Sequence, residues 1–267
     1  MSVIYHYCNP EAFLQIIEKK KLWLSATNNM NDSAEDRWVE NALGNALRSM
    51  IDKTNEEWCN QVWSSFTVSH MPKYVACFST DDDSLSQWRA YAQDGEGVAI
   101  GFDESLLGLG DPLYMHSETS IKLSKIGYLD THELEREISL LLNKYYLMPG
   151  NPEASQLILT DKLNELGLQI KNPAFEEEKE TRFIYWPASS FSYDVPKLDP
   201  PEQVSELKYR IASGYLTSYY EFDFSARDTI VDVVLGPKNK FTEYDIYKFL
   251  GINNVYAKPR RSAATYR

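Results

Sequence analysis

The sequence has few of the residues that would build a zinc site, a disulfide framework or a membrane span. Its three cysteines are an odd number without CxxC spacing, and its four histidines are scattered along the chain. We therefore expect no metal and, because the chain opens without a charged and apolar leader, a reducing cytoplasmic location. No apolar run approaches the roughly eighteen residues that a membrane helix needs, so we expect no membrane partner.

Several common catalytic motifs are also absent. The chain contains no GxGxxG fingerprint, no GxxxxGK[ST] loop, no GxSxG elbow and no HExxH sequence. Each of these motifs places backbone amides, a nucleophile or metal ligands at a fixed spacing. Their absence disfavours dehydrogenases, P-loop nucleotidases, α/β-hydrolases and zinc proteases.

Positive charge is in the minority, because the formal net charge is −12. A negative surface repels phosphate backbones, which disfavours nonspecific nucleic-acid binding. The carboxyl-terminal residues reverse this trend with Lys258, Arg260, Arg261 and Arg267. This basic tail is a candidate for holding an anionic ligand, and a solvated chain end is the alternative.

The residues that are present suffice for a large core. Hydrophobic residues make up 43% of the 267 positions and aromatic residues 13%, and no linker composition divides the chain. We therefore predict a single α+β domain over residues 1–267. It should contain a central mixed or antiparallel sheet with flanking helices, and helical insertions at about 34–69 and 131–169.

Runs of β-branched and aromatic residues predict the strands. The first run carries His6, and after a short amphipathic helix a second run ends at Ser25. Further strands are predicted at 74–79, 97–102, 182–186, 216–222, 230–235 and near 255–257. Helices are predicted after the turn at 81–84 and over 242–250.

A set of short signatures follows in order along the chain. They are Tyr5-His6-Tyr7, Leu22-Trp23-Leu24-Ser25, Asn31-Asp32-Ser33-Ala34-Glu35, Cys77-Phe78-Ser79, Gln87-Trp88-Arg89-Ala90-Tyr91-Ala92, Gly97-Val98-Ala99-Ile100-Gly101-Phe102, Glu180-Thr181-Arg182-Phe183-Ile184, Leu235-Gly236-Pro237 and Arg261-Ser262-Ala263-Ala264-Thr265-Tyr266-Arg267. Together they resemble a bacterial family known as domain of unknown function 2971, which usually has a proline and an aromatic residue where this chain has Ser33-Ala34. Family members resemble accessory proteins of mobile elements and defence loci, so the resemblance implies that setting.

His6 lies between two tyrosines on the first predicted strand. Alternation turns its ring to the face opposite both tyrosines, where it is either a core histidine with one backbone partner or a ligand contact. Ser25 can lie beside it on an adjacent strand, which favours the second interpretation. Asn31, Asp32 and Glu35 form a pattern typical of a capping box, although Asn31 next to Asp32 can also orient ligand hydroxyls.

Two further pairs of candidate residues lie later in the chain. Trp88 and Tyr91, three residues apart on one helix, either pack in the core or offer a surface for stacking. Glu180 and Arg182 alternate with other residues along a strand, so both should point to one face. The cation keeps the carboxylate ionised, which suits a role at a ribose hydroxyl or a developing cation, and an exposed ion pair of little energetic worth is the alternative.

The arrangement of these residues resembles that of ADP-ribosyltransferases, which use NAD as substrate. The candidate binding residues are His6, Ser25, Asn31, Trp88, Tyr91 and Arg182, and of these the resemblance implies His6, Ser25 and a nicotinamide-stacking ring from Tyr91 or Trp88. In such a site His6 holds the nicotinamide ribose, Ser25 begins the second motif and Glu180 is the catalytic acid. A fixed carboxylate would stabilise the oxocarbenium-like state that forms at the anomeric carbon.

Two other functions could use the same residues. A binding or sensing module would hold a small nucleotide without turnover and act through a protein partner, and it has no need of Glu180 beside the histidine. A metal-dependent nuclease would instead need Asp32, Glu35 and Glu180 clustered around Mg²⁺.

Overall fold

A computed structural model describes residues 2–27, 33–51, 55–68, 73–107, 120–149, 151–187, 202–212 and 214–265, with the backbone alone for 33–37, 106, 120 and 153. The helices are α1 (Pro10–Lys19), α2 (Ser33–Ile51), α3 (Glu56–Val68), α4 (Leu85–Tyr91), α5 (Thr131–Tyr146), α6 (Pro152–Gln169) and α7 (Glu243–Ile252). The strands are β1 (Val3–Cys8), β2 (Lys21–Ala26), β3 (Tyr74–Ser79), β4 (Val98–Asp103), β5 (Ser120–Lys125), β6 (Gly127–Tyr128), β7 (Ile170–Lys171), β8 (Glu180–Trp186), β9 (Lys208–Ala212), β10 (Tyr215–Asp223), β11 (Ile230–Leu235) and β12 (Pro259–Arg261).

The amino-terminal strand, helix and strand form as the sequence predicts. Helix α1 begins where the Asn9 side chain accepts a hydrogen bond from the backbone N–H of Ala12 at 2.7 Å. It ends at Lys20, which adopts a left-handed conformation and donates its backbone N–H to the Ile16 carbonyl. The apolar face of the helix is buried. The chain can therefore return directly into β2.

Ten of the described strands form one large sheet. Its order is β12-β11-β4-β1-β3-β2-β10-β9, and β8 pairs with β3 while β5 pairs with β8. Within the described ladders of this sheet, β11 and β12 are parallel and the other pairs are antiparallel. The α+β class with a mixed, mostly antiparallel central sheet is thus confirmed.

The central strand β3 is where the sheet divides. One edge of β3 pairs along its whole length with β8, from Tyr74 to Ser79. The other edge is shared, because Val75 pairs with Ser25 on β2 while Ser79 pairs with Tyr5 on β1. Between these two contacts β1 and β2 diverge and leave a fork along β3. This fork positions the candidate site.

Apolar side chains pack on both faces of the sheet. The main core contains Phe13 and Ile17 of α1, together with Phe102 and Phe183 of the sheet. On the opposite face a smaller cluster gathers Tyr7, Trp88, Ala92, Ala99 and Val234. Side chains that alternate along a strand thus enter different cores, as the pleat requires.

The chain forms two units, and the larger contains this sheet. It comprises residues 1–29, 73–125 and 177–267. The second unit comprises residues 30–72 and 126–176 and contains α2, α3, α5, α6 and the β6–β7 pair. Its own core includes Leu43, Val62, Leu134, Ile138 and Leu163. The two predicted helical insertions therefore build this unit together, and the domain count for the whole chain stays a prediction.

Three local predictions need correction or extension. The helical stretch at 34–69 is two helices, because α2 ends at Ile51 and α3 begins at Glu56. The strand predicted near 255–257 is wrong, since the last strand is β12 at Pro259–Arg261. Strands β5 and β9 were missed because polar residues interrupt their apolar pattern. None of the described helices combines the length and apolarity that crossing a membrane needs.

Candidate functional site

A small cavity of about 70 Å³ opens at the fork of the sheet. Its walls come from β1, β3, α4 and the segment that leads into β8. The lining residues are His6, Tyr7, Cys77, Phe78, Gln87, Tyr91, Glu178 and Glu180. Most of these residues are of polar type, but the surface that they expose to the cavity is mainly apolar, so the cavity suits a largely apolar group that carries a few polar atoms.

His6 connects β1 to β3 across the fork. Its Nδ1 atom lies 2.9 Å from the Cys77 carbonyl oxygen, and its ring lies 5.6 Å from the ring of Phe78. A carbonyl can only accept, so Nδ1 carries the hydrogen and Nε2 of the neutral ring is an acceptor. Among the described residues, Nε2 has no hydrogen-bond partner. His6 thus lines the cavity and has one unused acceptor.

Gln87 is the second polar side chain with unused hydrogen-bonding capacity. It lies on α4, lines the cavity and is 7% exposed. Its amide makes no hydrogen bond within the part of the chain that the structure describes. Its amide atoms are not fully enclosed, so they remain available to a ligand in the cavity.

Glu180 and Arg182 form a buried ion pair in the cavity wall. Arg182 donates from Nε to Glu180 Oε1 at 2.8 Å and from Nη2 to Oε2 at 3.0 Å. The two residues are 6% and 3% exposed. The predicted shared face is confirmed, whereas the alternative of an exposed pair is wrong. The two-fold contact fixes the carboxylate in one orientation.

Tyr91 and Glu178 border the cavity together. The Tyr91 hydroxyl donates to Glu178 Oε1 at 3.2 Å, and the tyrosine is 42% exposed. Next to Glu178, Lys179 donates to Asp81 Oδ2 at 2.9 Å. Glu178 and Lys179, which lead into β8, are therefore both engaged in contacts.

Burial makes His6 a source of pH-dependent stability. Desolvation lowers the pKa of His6 from its ordinary value of 6.5, and the hydrogen bond to Cys77 acts in the opposite direction. The unfolded chain therefore binds the proton at a higher pH than the folded chain. The contribution of His6 is complete above pH 6.5 and is lost as the pH falls toward the folded pKa.

We accordingly expect the free energy of unfolding to fall more steeply between pH 7 and pH 5 in the wild type than in His6→Gln. One proton gives a slope of at most about 1.4 kcal/mol per pH unit. Urea unfolding at a series of pH values measures both curves. Parallel curves would show that the His6 pKa is not lowered.

The predicted site residues separate into those at the cavity and those elsewhere. His6, Tyr91 and Glu180 line it, and Arg182 contacts it through Glu180. Trp88 is fully buried, packs edge-on against Tyr7 and donates its indole N–H to Asp83 at 2.7 Å. Its ring is therefore not available for stacking on a ligand. The helix turns Trp88 inward and Tyr91 outward.

Ser25 is not adjacent to His6, because β2 pairs with β3 and β10 rather than with β1. Its hydroxyl accepts a hydrogen bond from Arg210 Nη2 at 2.9 Å. Asn31 and Asp32 lie outside the described residues, as does the side chain of Glu35. A metal-dependent nuclease would use Asp32, Glu35 and Glu180 together. Of these three side chains, the structure describes only that of Glu180.

The basic tail is held by the protein itself. Arg260 pairs with Asp232 at 2.8 Å and also with Asp82, and Arg261 donates to the carbonyl oxygens of Asn239 and Phe241. Arg267 lies outside the described residues. Arg260 and Arg261 therefore bind partners within the protein. They form neither a free anion site nor a solvated chain end.

Sequence reasoning missed Gln87 as a site residue. The available signal was the spacing of Gln87 and Tyr91, four residues apart, which places both on one helix face. The interpretation instead used the spacing of three between Trp88 and Tyr91. Residues three or four apart can both share a helix face, so the spacing does not distinguish Gln87 from Trp88 as the neighbour of Tyr91. The burial of Trp88 distinguishes them.

A larger groove of about 560 Å³ lies in the helical unit. It is lined by Glu56, Glu57, Asn60, Gln61, Ser64, Ser65 and Gln156. None of the predicted site residues that the structure describes lies in it. Its walls are exposed helix faces, and we assign the chemistry to the smaller and more enclosed cavity at the fork.

The family comparison covers the elements that build one side of this cavity. Residues 87–183 match the family described as Protein of unknown function (DUF2971). The recognition made from the sequence signatures is thereby confirmed. The matched segment is just over a third of the chain and includes Gln87, Tyr91, Glu180 and Arg182. Comparisons with curated proteins and with solved structures found no match.

The description of the DUF2971 family names no activity, and the chemistry of the cavity follows from the residues that line it. Within the described residues, no group of three or more histidine, cysteine or acidic side chains could hold a metal ion. The cavity instead offers a neutral imidazole, an amide and a fixed carboxylate. These groups can bind a small polar ligand by complementary hydrogen bonds.

Proposed function

We propose that the fork cavity binds the nicotinamide end of NAD, or the heterocyclic amide of a related nucleotide. The observation that carries this proposal is that two residues with unused hydrogen-bonding groups, Gln87 with its amide and His6 with Nε2, line one cavity. A carboxamide supplies both a donor and an acceptor. It can therefore donate to His6 Nε2 while it exchanges hydrogen bonds with Gln87.

The size of the cavity supports a head group rather than a whole dinucleotide. A water molecule occupies roughly 30 Å³, so a cavity of about 70 Å³ takes a group of a few heavy atoms. A carboxamide has that size. The attached ring would then lie next to Tyr91, whose ring is 42% exposed and suited to stacking.

The electrostatics of the wall favour binding over turnover. Both Glu180 oxygens accept from Arg182, so the pair presents a dipole to the cavity rather than an isolated negative charge. A dipole stabilises a developing cation less than a lone carboxylate does. A binding or sensing role, with a small nucleotide as ligand and a protein as the partner that receives the signal, is therefore our first proposal.

ADP-ribosyltransferase-like chemistry is the second candidate, because Glu180 and His6 line the same cavity. That reaction releases nicotinamide from NAD, whereas binding alone does not. The test is nicotinamide release by the wild type with candidate acceptors, with Glu180→Gln as the comparison. Release that depends on Glu180 would replace the sensing proposal by the enzymatic one.

Replacing Gln87 with methionine separates function from stability. We expect Gln87→Met to weaken NAD binding by about tenfold or more, because a hydrogen bond to the ligand is lost. The same change should leave the free energy of unfolding nearly unchanged, since the amide makes no hydrogen bond to the described part of the protein. Calorimetry and urea unfolding measure the two effects.

The matched control is Gln203→Met, which alters an exposed glutamine outside the cavity and should change neither quantity. Nicotinic acid is the ligand control, because its carboxylate cannot donate to His6 Nε2 and should bind more weakly than nicotinamide. Equal binding of NAD by wild type and Gln87→Met, or no binding by either, would reject the proposal.

A further inference from the structure

A second polar cluster lies on the other arm of the fork, across β2, β10 and β9. Arg210 of β9 reaches Ser25 on β2, and Trp23 shares the face of Ser25 by alternation. Tyr219 of β10 pairs with Ser25 in the ladder. Three strands therefore deliver an arginine, a serine and two aromatic rings to one place.

The guanidinium of Arg210 lies over two aromatic rings. Its central carbon lies 4.8 Å from the Trp23 ring centroid and 5.9 Å from that of Tyr219. The two rings are themselves 5.1 Å apart. The cation–π contacts and the hydrogen bond to Ser25 together restrict the guanidinium, as in sites that recognise planar or tetrahedral anions.

Arg210 has no anionic partner among the residues that the structure describes. Nη2 donates to Ser25 Oγ at 2.9 Å, whereas Nε is buried without a hydrogen bond. Arg182 and Arg260, by contrast, each pair with a carboxylate. A half-buried cation without a counter-ion is unfavourable, and burial also lowers the pKa of the Arg210 guanidinium.

The charges around Arg210 leave this face positive. Lys21 and Lys208 contact the same oxygen, Oε2 of Glu221, at 3.4 and 2.7 Å. The other acid of the face is Asp223 at the end of β10, which accepts from the Ser225 backbone N–H. Among the residues that the structure describes on this face, three cations thus face two carboxylates, on a protein whose net charge is −12.

We propose that Arg210 and Ser25 bind the phosphate group of a nucleoside monophosphate, whose base stacks on the exposed part of Trp23. A phosphate has three acceptor oxygens, so it can accept from the guanidinium edge, the serine hydroxyl and Lys208 together. Trp23 is 39% exposed and offers the aromatic surface beside the phosphate position. This site does not depend on the ligand of the fork cavity.

The test is a titration of the full chain with inorganic phosphate, AMP and adenosine at constant ionic strength, followed by calorimetry. We expect saturable binding of phosphate, AMP binding about fivefold or more tighter through stacking, and weak binding of adenosine. Arg210→Met should abolish phosphate binding. Arg210→Lys should weaken it, because an ammonium lacks the planar edge.

Two further variants complete the design. Ser25→Ala should weaken phosphate binding, and Lys258→Met, which removes an exposed positive charge near β12, should leave it unchanged. A purely structural role for Arg210 predicts no saturable phosphate binding and lower stability in Arg210→Met. Either absent binding, or binding that persists in Arg210→Met, would overturn the proposal. Equal affinities for phosphate and AMP would overturn the stacking on Trp23.

Discussion

Replacing Arg182 with methionine should lower the free energy of unfolding by about 3–5 kcal/mol, as expected when one member of a buried ion pair is removed. Glu180 would lose the hydrogen bonds at 2.8 and 3.0 Å that Arg182 donates to its two oxygens. It is 6% exposed, so water cannot fully replace them. Urea unfolding monitored by tryptophan fluorescence measures the change.

A double variant tests the same argument from the opposite side. Glu180→Leu combined with Arg182→Met removes both charges, and an apolar pair of similar volume should recover most of the lost stability. The exposed pair of Lys240 and Glu96 provides the control, because Lys240→Met should change stability by less than about 1 kcal/mol. A loss as small as this in Arg182→Met would contradict the buried pair.

The second large effect is expected at Asp83, which attaches the carboxyl-terminal segment to the sheet unit. Its carboxylate accepts from Trp88 Nε1 at 2.7 Å, from the Ala263 backbone N–H at 2.7 Å and from the Ser262 hydroxyl. Asp83→Ala removes all three contacts and leaves the buried Trp88 indole N–H without its acceptor. We expect a loss of about 2–3 kcal/mol.

Asp83→Ala should loosen the residues after β12 locally, in addition to lowering the free energy of unfolding of the whole fold. Without Asp83, residues after β12 lose their main attachment and should be cleaved faster by a carboxypeptidase under native conditions. Asp82→Ala is the matched control, since Asp82 pairs at the surface with Arg260, and Arg260 retains its pair with Asp232. Equal cleavage of the wild type and Asp83→Ala would show that Asp83 does not hold the segment.

Predictions that depended on local periodicity succeeded. The alternation of side chains along a strand placed Glu180 and Arg182 on one face, and it turned His6 away from Tyr5 and Tyr7. The helical pattern located α5 and α6. Each of these inferences needs only the geometry of a single element, which the residues of that element determine.

Predictions that required a neighbour from elsewhere in the chain were less successful. Ser25 was expected beside His6, but β3 separates the strands and turns Ser25 toward Arg210. Arg260 and Arg261 were considered for an external anion, yet their partners come from distant segments. Nothing in the local sequence indicates which acid or carbonyl meets a given cation.

The sequence by itself determined the secondary structure of most elements, the face of each strand and the family to which residues 87–183 correspond. Only the tertiary structure decided the fork on β3, the burial of Trp88 and the position of Gln87 at the cavity. Periodicity is a property of consecutive residues. Strand pairing and burial instead depend on contacts between residues far apart in the chain, which no local pattern encodes.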